Sequence, residues 1–309
     1  MEVIRALATL AEPPHPAHAP IARALDLPEL PRPADHTELF LFQLYPFASF
    51  HVGADGMLGG EAADRAAGFW RALGWEVPGE PDHLTALLGL YAELSDAEAR
   101  EPAGPGRVLR RESRKALLWE HLLCWLPPYL QAVCEIGHPF YRRWAELLRA
   151  ALLSEAAALG APDRLPLHLR EAPLLADPRV GGGEAFLSQL TAPVRTGMLL
   201  TRADLARCAD DLGLGRRAGE RRFVLKALLS SSPEAALGWL AGEAVRWRAA
   251  HRGYRAEAEI VSRFWMSRAD AAHRLLVELS REAADGGGPA SAPTSGTSAP
   301  ARPAKARSG

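Results

Sequence analysis

Glu80, Asp82 and His83 stand within four residues of one another, in the run EPDHL that ends at Leu84. Two carboxylates and an imidazole at this spacing suit recognition of a guanidinium. A carboxylate accepts two parallel N–H bonds from an arginine, and a neighbouring imidazole adds a donor that pH tunes. The run also has a structural use: an aspartate ahead of an apolar helical pattern accepts one of the free amides of the first turn. Asp82 therefore also reads as the cap of a helix that begins near Leu84. Upstream, Tyr45 and Phe47 bracket Pro46 in YPFASFHVGADGMLGG, and glycines follow at 53, 56, 59 and 60. Aromatic rings supply large apolar contact, and ordered loops of this kind commonly bind a partner.

Turnover chemistry lacks its usual carriers. The glycine loop has no Gly-Lys-Ser/Thr ending, so it is not a phosphate loop. Gly213-Leu214-Gly215…Gly219 has the wrong spacing for a dinucleotide fingerprint, and no strand pattern precedes it. Both read as turns in which glycine supplies positive φ. His15 and His18 lie in a Pro/Ala-rich connector without a further ligand, and read as surface histidines. Glu120 and His121 are adjacent on a helix and point in divergent directions, which favours a core histidine over a catalytic one. Asp210-Asp211 lacks a third carboxylate at a metal-binding interval, and no serine or cysteine sits in a nucleophile context. The sequence thus offers no catalytic residue, no metal ligand set and no cofactor loop, and points to recognition.

The elements that position these residues are helices punctuated by Pro and Gly, with almost no alternating strand pattern. Helices are expected at 1–11, around 21–25, from an Asp35 cap through Leu39, Phe40, Phe42 and Gln43, and at 61–73 and 84–94. Residues 115–126 are apolar almost all round, which places that helix at the centre of a bundle; Pro127-Pro128 is expected to end it. A helix starting at Pro139 runs to Gly160. Residues 162–183 are Pro/Gly-rich and read as irregular. Thr201 with Asp204 forms a capping box for 203–212, and 220–229, 233–251 and 254–284 complete the order. From 286 to 309 the composition is too poor in apolar residues to offset ordering entropy, and disorder is expected. The reading is all-α: an N-terminal helix and Pro-rich connector (1–36), one helical bundle domain of one or two lobes (37–285), and a disordered tail (286–309).

Composition narrows the partners. With 309 residues, 48% hydrophobic, the chain can bury a sizeable core, and its formal net charge of −1 lacks the basic excess of a general nucleic-acid binder. Arg216, Arg217, Arg221 and Arg222 after a capped helix and a Gly turn do imitate a helix-turn-helix. A DNA-binding regulator is thus the rival reading. Against it, Phe223, Val224, Leu225, Leu228 and Leu229 suit a core-packed helix. Three widely spaced cysteines, with Cys124 and Cys134 in apolar surroundings, suggest a reducing compartment without disulfides. The N-terminal apolar run is too short for a signal peptide, and no segment reaches the ~20 apolar residues of a membrane span. A cytoplasmic protein without membrane insertion is expected.

With this helical order in view, the chain resembles the TorD/DmsD family of cytoplasmic chaperones for molybdenum-cofactor oxidoreductases. The resemblance is carried by YPFASFHVGADGMLGG (45–60), DRAAGFWRALG (64–74), EPDHL (80–84), LLWEHLLCWLPPYLQAV (117–133) and FYRRWAELLRAAL (140–152), and spans residues 38 to about 251. The resemblance implies an all-α fold, no reaction of the protein's own, and binding of the N-terminal segment of a molybdopterin oxidoreductase catalytic subunit, often a twin-arginine signal. It places peptide binding on Tyr45, Phe47, Glu80, Asp82 and His83. A monomer or a domain-swapped dimer would serve. The N-terminal Pro-rich segment is longer, and the stretch 191–222 more elaborate, than in the better-known members.

Overall fold

The chain builds the helical order that its punctuation suggests. The computed structural model describes residues 1–286, so the tail expected at 286–309 lies, apart from Gly286, outside the described residues. The helices of the first half are α1 Glu2–Thr9, α2 Ala19–Ala24, α3 Pro33–Thr37, α4 Ala48–Val52, α5 Gly60–Ala72, α6 Leu84–Arg100, α7 Pro105–Ala116, α8 Leu126–Ile136 and α9 Pro139–Leu159. The second half contains α10 Leu167–Glu171, α11 Pro178–Gly181, α12 Gly183–Leu190, α13 Pro193–Thr196, α14 Arg202–Asp211, α15 Arg221–Ser231, α16 Pro233–Arg252 and α17 Glu259–Gly286. Among the described residues there is no strand, only an isolated antiparallel bridge between Phe47 and His83.

Three local expectations need correction. Pro127-Pro128 does not end a helix; the two prolines occupy the first turn of α8, where their missing amides would lack partners anyway. The apolar run before them is a π-helical turn, Leu117–Leu122, continuing α7, and the Leu123 amide closes it on the Leu118 carbonyl at 2.7 Å. Asp35 is not the N-cap of its helix. It sits at the third position of α3, where its carboxylate accepts the Arg32 amide and guanidinium. Residues 162–183, expected to be irregular, include the short helices α10 and α11. By contrast, Thr201 and Asp204 form the expected capping box, each side chain accepting the other's amide.

The core is a continuous cluster of aromatic and leucine side chains, and tryptophan indoles fasten it across long sequence distances. Trp144 donates to the Leu7 carbonyl at 2.8 Å, tying α9 to α1. Trp265 donates to the Cys124 carbonyl at 3.1 Å, tying α17 to the centre. Trp119 lies buried and donates to the Gly160 carbonyl at 3.1 Å. Antiparallel α16 and α17 make the most extensive helix pair. Gly197 ends α13 in the left-handed region (φ 70°). A Cβ there would stand 2.4 Å from the Ala269 amide nitrogen, so only glycine lets α13 close on α17. Cys124 and Cys208 are buried and Cys134 is half-buried; all three are free thiols.

Candidate functional site

The site is assembled where a wide helical turn gives way to extended chain. The π turn Glu38–Gln43 closes with the Leu44 amide on the Leu39 carbonyl at 2.8 Å. Residues 44–47 then run extended, with φ, ψ of −135°, 95° at Leu44 and −125°, 129° at Phe47. Alternation follows from that backbone: Leu44 and Pro46 are buried, while Tyr45 and Phe47 are half-buried and face outward together. The segment 82–84 pairs beside it. The Leu84 amide donates to the Pro46 carbonyl at 2.8 Å, and the Ala48 amide donates to the Asp82 carbonyl at 3.0 Å.

This pairing decides the roles of Asp82 and His83, and corrects the expected cap. His83, not Asp82, is the N-cap of α6. Its Nδ1 accepts the Thr85 amide at 3.3 Å and lies 2.8 Å from the Thr85 hydroxyl. Asp82 is only 3% exposed, and its carboxylate accepts the Ser49 amide of α4 at 2.9 Å. It therefore caps α4 from across the bridge and does not stand on a rim. The His83 ring packs edge-on against Phe47 at 4.8 Å. Burial holds its pKa below the ordinary histidine value, with Glu80, Glu12 and Asp82 pulling the other way.

Glu12 was not singled out by sequence reasoning. It is an exposed carboxylate just after α1, and the fold brings it to the same surface as Glu80, which is also exposed. Among the described residues neither has a basic partner within 4.0 Å. The surface thus carries Phe47, His83 and two carboxylates free to accept. No local pattern around Glu12 announces this; only the packing of α1 against α6 and α9 produces it. His51 is a second residue that motif reading passed over. Its Nε2 lies 2.9 Å from the Tyr45 carbonyl, and its ring stacks on Trp125 at 4.9 Å and 11°. Burial lowers its pKa to about 3, so it is a neutral imidazole that anchors the Tyr45 backbone.

The glycine loop is held from the second half of the chain. Arg195 donates to the Ala54 carbonyl at 2.6 Å. At Gly56 (φ 59°) a Cβ would sit 2.9 Å from the Ala192 Cα. Met57 and Leu58 stand 70% and 51% exposed on this loop, over a cleft of about 490 Å³ that Arg65, His168 and Glu171 also line. The other sequence candidates have structural partners. His15 caps the turn Pro16–His18, and His121 is buried 5.0 Å from the Phe69 ring. Of the four clustered arginines, Arg216 pairs with Asp210, and Arg221 turns inward to the Leu200 carbonyl. Among the described residues no group of three or more His, Cys, Asp or Glu side chains could hold a metal ion, and no helix is long and apolar enough to cross a membrane.

Residues 8–131 match the family model described as nitrate reductase delta subunit, a TorD-type family of chaperones for nitrate reductase maturation. The matched span is well under half of the 309 residues and contains Glu12, Tyr45, Phe47, Glu80, Asp82 and His83. No curated protein matches the chain.

Proposed function

We propose that this chain, whose residues 8–131 match a family of nitrate reductase maturation chaperones, binds the N-terminal segment of a molybdopterin oxidoreductase catalytic subunit of that type. It holds the precursor in the cytoplasm until its cofactor is loaded. The observation that carries the reading is the extended segment 44–47. It directs Tyr45 and Phe47 outward, bridges to His83, and leaves Glu80 and Glu12 exposed and, among the described residues, without a basic partner within 4.0 Å. An extended or helical client segment lays apolar side chains on the two rings. A client arginine stacks on Phe47 and meets the Glu12 and Glu80 carboxylates. Tyr45, Phe47, Glu80 and His83 make contact, while Asp82 positions them through Ser49. A twin-arginine signal fits this surface because it combines guanidinium groups with an apolar stretch.

The reading is tested by titrating a labelled N-terminal client peptide into the full chain and into Phe47→Ala and Glu12→Gln/Glu80→Gln variants. At a partly solvated rim each lost ion pair is worth about 0.5–1 kcal/mol, so the double glutamate change should weaken binding about fivefold or more and flatten its salt dependence. Unchanged affinity in both variants would move the site elsewhere. DNA binding gains nothing from the fold, since Arg216 of the basic cluster is already paired with the Asp210 carboxylate.

A further inference from the structure

Tyr45 and Phe47 share one outward face but meet opposite charges. Phe47 packs on His83, on which the Glu12 and Glu80 charges act; on the other side of Pro46, Tyr45 lies beside Arg221 from the second half of the chain. The Tyr45 ring is 5.0 Å from Phe50 in T-shaped contact, and the Arg221 guanidinium lies over Phe50 at 4.6 Å. Nη1 of Arg221 donates to the Leu200 carbonyl at 2.8 Å, which places this guanidinium beside the start of α14. Arg202, the first residue of α14, stacks over Phe42 at 5.4 Å. The next residue donates its amide to Gln43 Oε1 at 3.1 Å, pinning this end of α14 to the chain just before Tyr45.

Neither guanidinium has a carboxylate within 4.0 Å among the described residues. Nearby in the same half, Arg207, Arg216, Arg246 and Arg248 each pair with one. Two half-buried like charges brought to one place, held by ring faces and a carbonyl, leave planar N–H groups without an anionic acceptor. Burial, the largest effect, lowers the Arg221 pKa to about 10, and the neighbouring Arg202 charge adds to the shift.

We propose that Arg202 and Arg221 form a carboxylate-binding subsite that takes an acidic side chain of the bound client segment. The subsite rests on the peptide-binding reading and deepens it. The client's arginine lies toward Glu12 and Glu80 and its acidic residue toward Arg202 and Arg221, with the apolar residues between them on Tyr45 and Phe47. Both arginines lie outside the span 8–131 that matches the family, so the second half of the chain sets client choice on a surface that the first half supplies.

The test uses the full chain and two amidated, labelled peptides. One is the N-terminal segment of a nitrate-reductase-type catalytic subunit that carries an acidic residue; the other has each Asp and Glu replaced by Asn and Gln. Anisotropy titration should show the acidic peptide binding roughly tenfold tighter, the scale of a partly exposed hydrogen bond to a charged group. Arg202→Gln, which removes only a stacked guanidinium, should reduce that preference to about twofold without shifting the melting curve. Arg221→Lys keeps the buried charge and the fold, and should lose part of the preference because an ammonium lacks the planar fork. Equal affinity of the wild type for both peptides would overturn the carboxylate subsite while leaving peptide binding intact. Failure to bind either peptide would overturn both. A preference that survives undiminished in both variants would remove these two arginines from the subsite.

Discussion

Replacing Asp82 separates support of the site from contact with a client. The Asp82 carboxylate is buried and accepts the Ser49 amide at 2.9 Å, and Ser49 itself is 0% exposed. In Asp82→Ala that amide loses its acceptor where water does not replace it, which costs about 1–3 kcal/mol. Loss of an N-cap is worth about 0.5–2 kcal/mol and counts the same bond from another side, so the two do not add, and about 1–3 kcal/mol is the expected total. Asp82→Asn keeps an oxygen acceptor and should cost about 1 kcal/mol or less. Urea unfolding followed by far-UV circular dichroism measures both values, and peptide titration of the folded variants measures binding. Folded Asp82→Asn should bind within about a factor of two of wild type, a few tenths of a kcal/mol. An Asn variant with wild-type stability and tenfold weaker binding would refute this, because it would show the charge facing the client.

Other perturbations follow from the packing. Trp119→Ala truncates a buried indole that also bonds the Gly160 carbonyl, and should cost about 3–5 kcal/mol of unfolding free energy; a near-neutral value would take this turn out of the core. Gly197→Ala forces a Cβ to 2.4 Å from the Ala269 amide and 2.8 Å from the Trp265 carbonyl at φ 70°, and should destabilise by about 2–4 kcal/mol in the same assay. Burial holds His51 and His168 to about 3 and His121 and His251 to about 4, from 6.5. With folded values depressed, their stabilisation is present above about pH 6.5 and lost as pH falls toward those values, at about 1.4 kcal/mol per unit for each. The melting temperature should therefore fall steeply between pH 6.5 and 5, and a flat profile would show that these imidazoles are solvated.

The helices and the core were legible in the sequence because Pro, Gly and the 3.6-residue apolar period act locally. The capping box at Thr201 and Asp204 and the buried position of Trp119 needed nothing beyond neighbouring residues. For the proposed binding surface, the sequence supplies a set of residues, Tyr45, Phe47, Glu80 and His83, and not the geometry that relates them. Asp82 was the instructive case: it sits where a helix cap belongs in sequence, but the bridge from Phe47 to His83 turns its carboxylate back onto Ser49 and passes the capping of α6 to His83. A pairing across more than thirty residues has no local signature. The same holds for Glu12, brought in by α1, and for Arg202 and Arg221, brought in by α14 and α15. The prolines at 127 and 128 misled for a different reason, since proline favours a first helical turn as strongly as it opposes an interior one.

The most direct test is capture of a nitrate-reductase-type catalytic subunit by this chain in a reducing cell extract. The client is produced intact and with its N-terminal segment deleted. The account predicts that the intact, cofactor-free subunit is retained and the truncated one is not, and that Phe47→Ala combined with Glu80→Gln weakens retention of the intact form. Equal retention of both forms, or retention of neither, would contradict it.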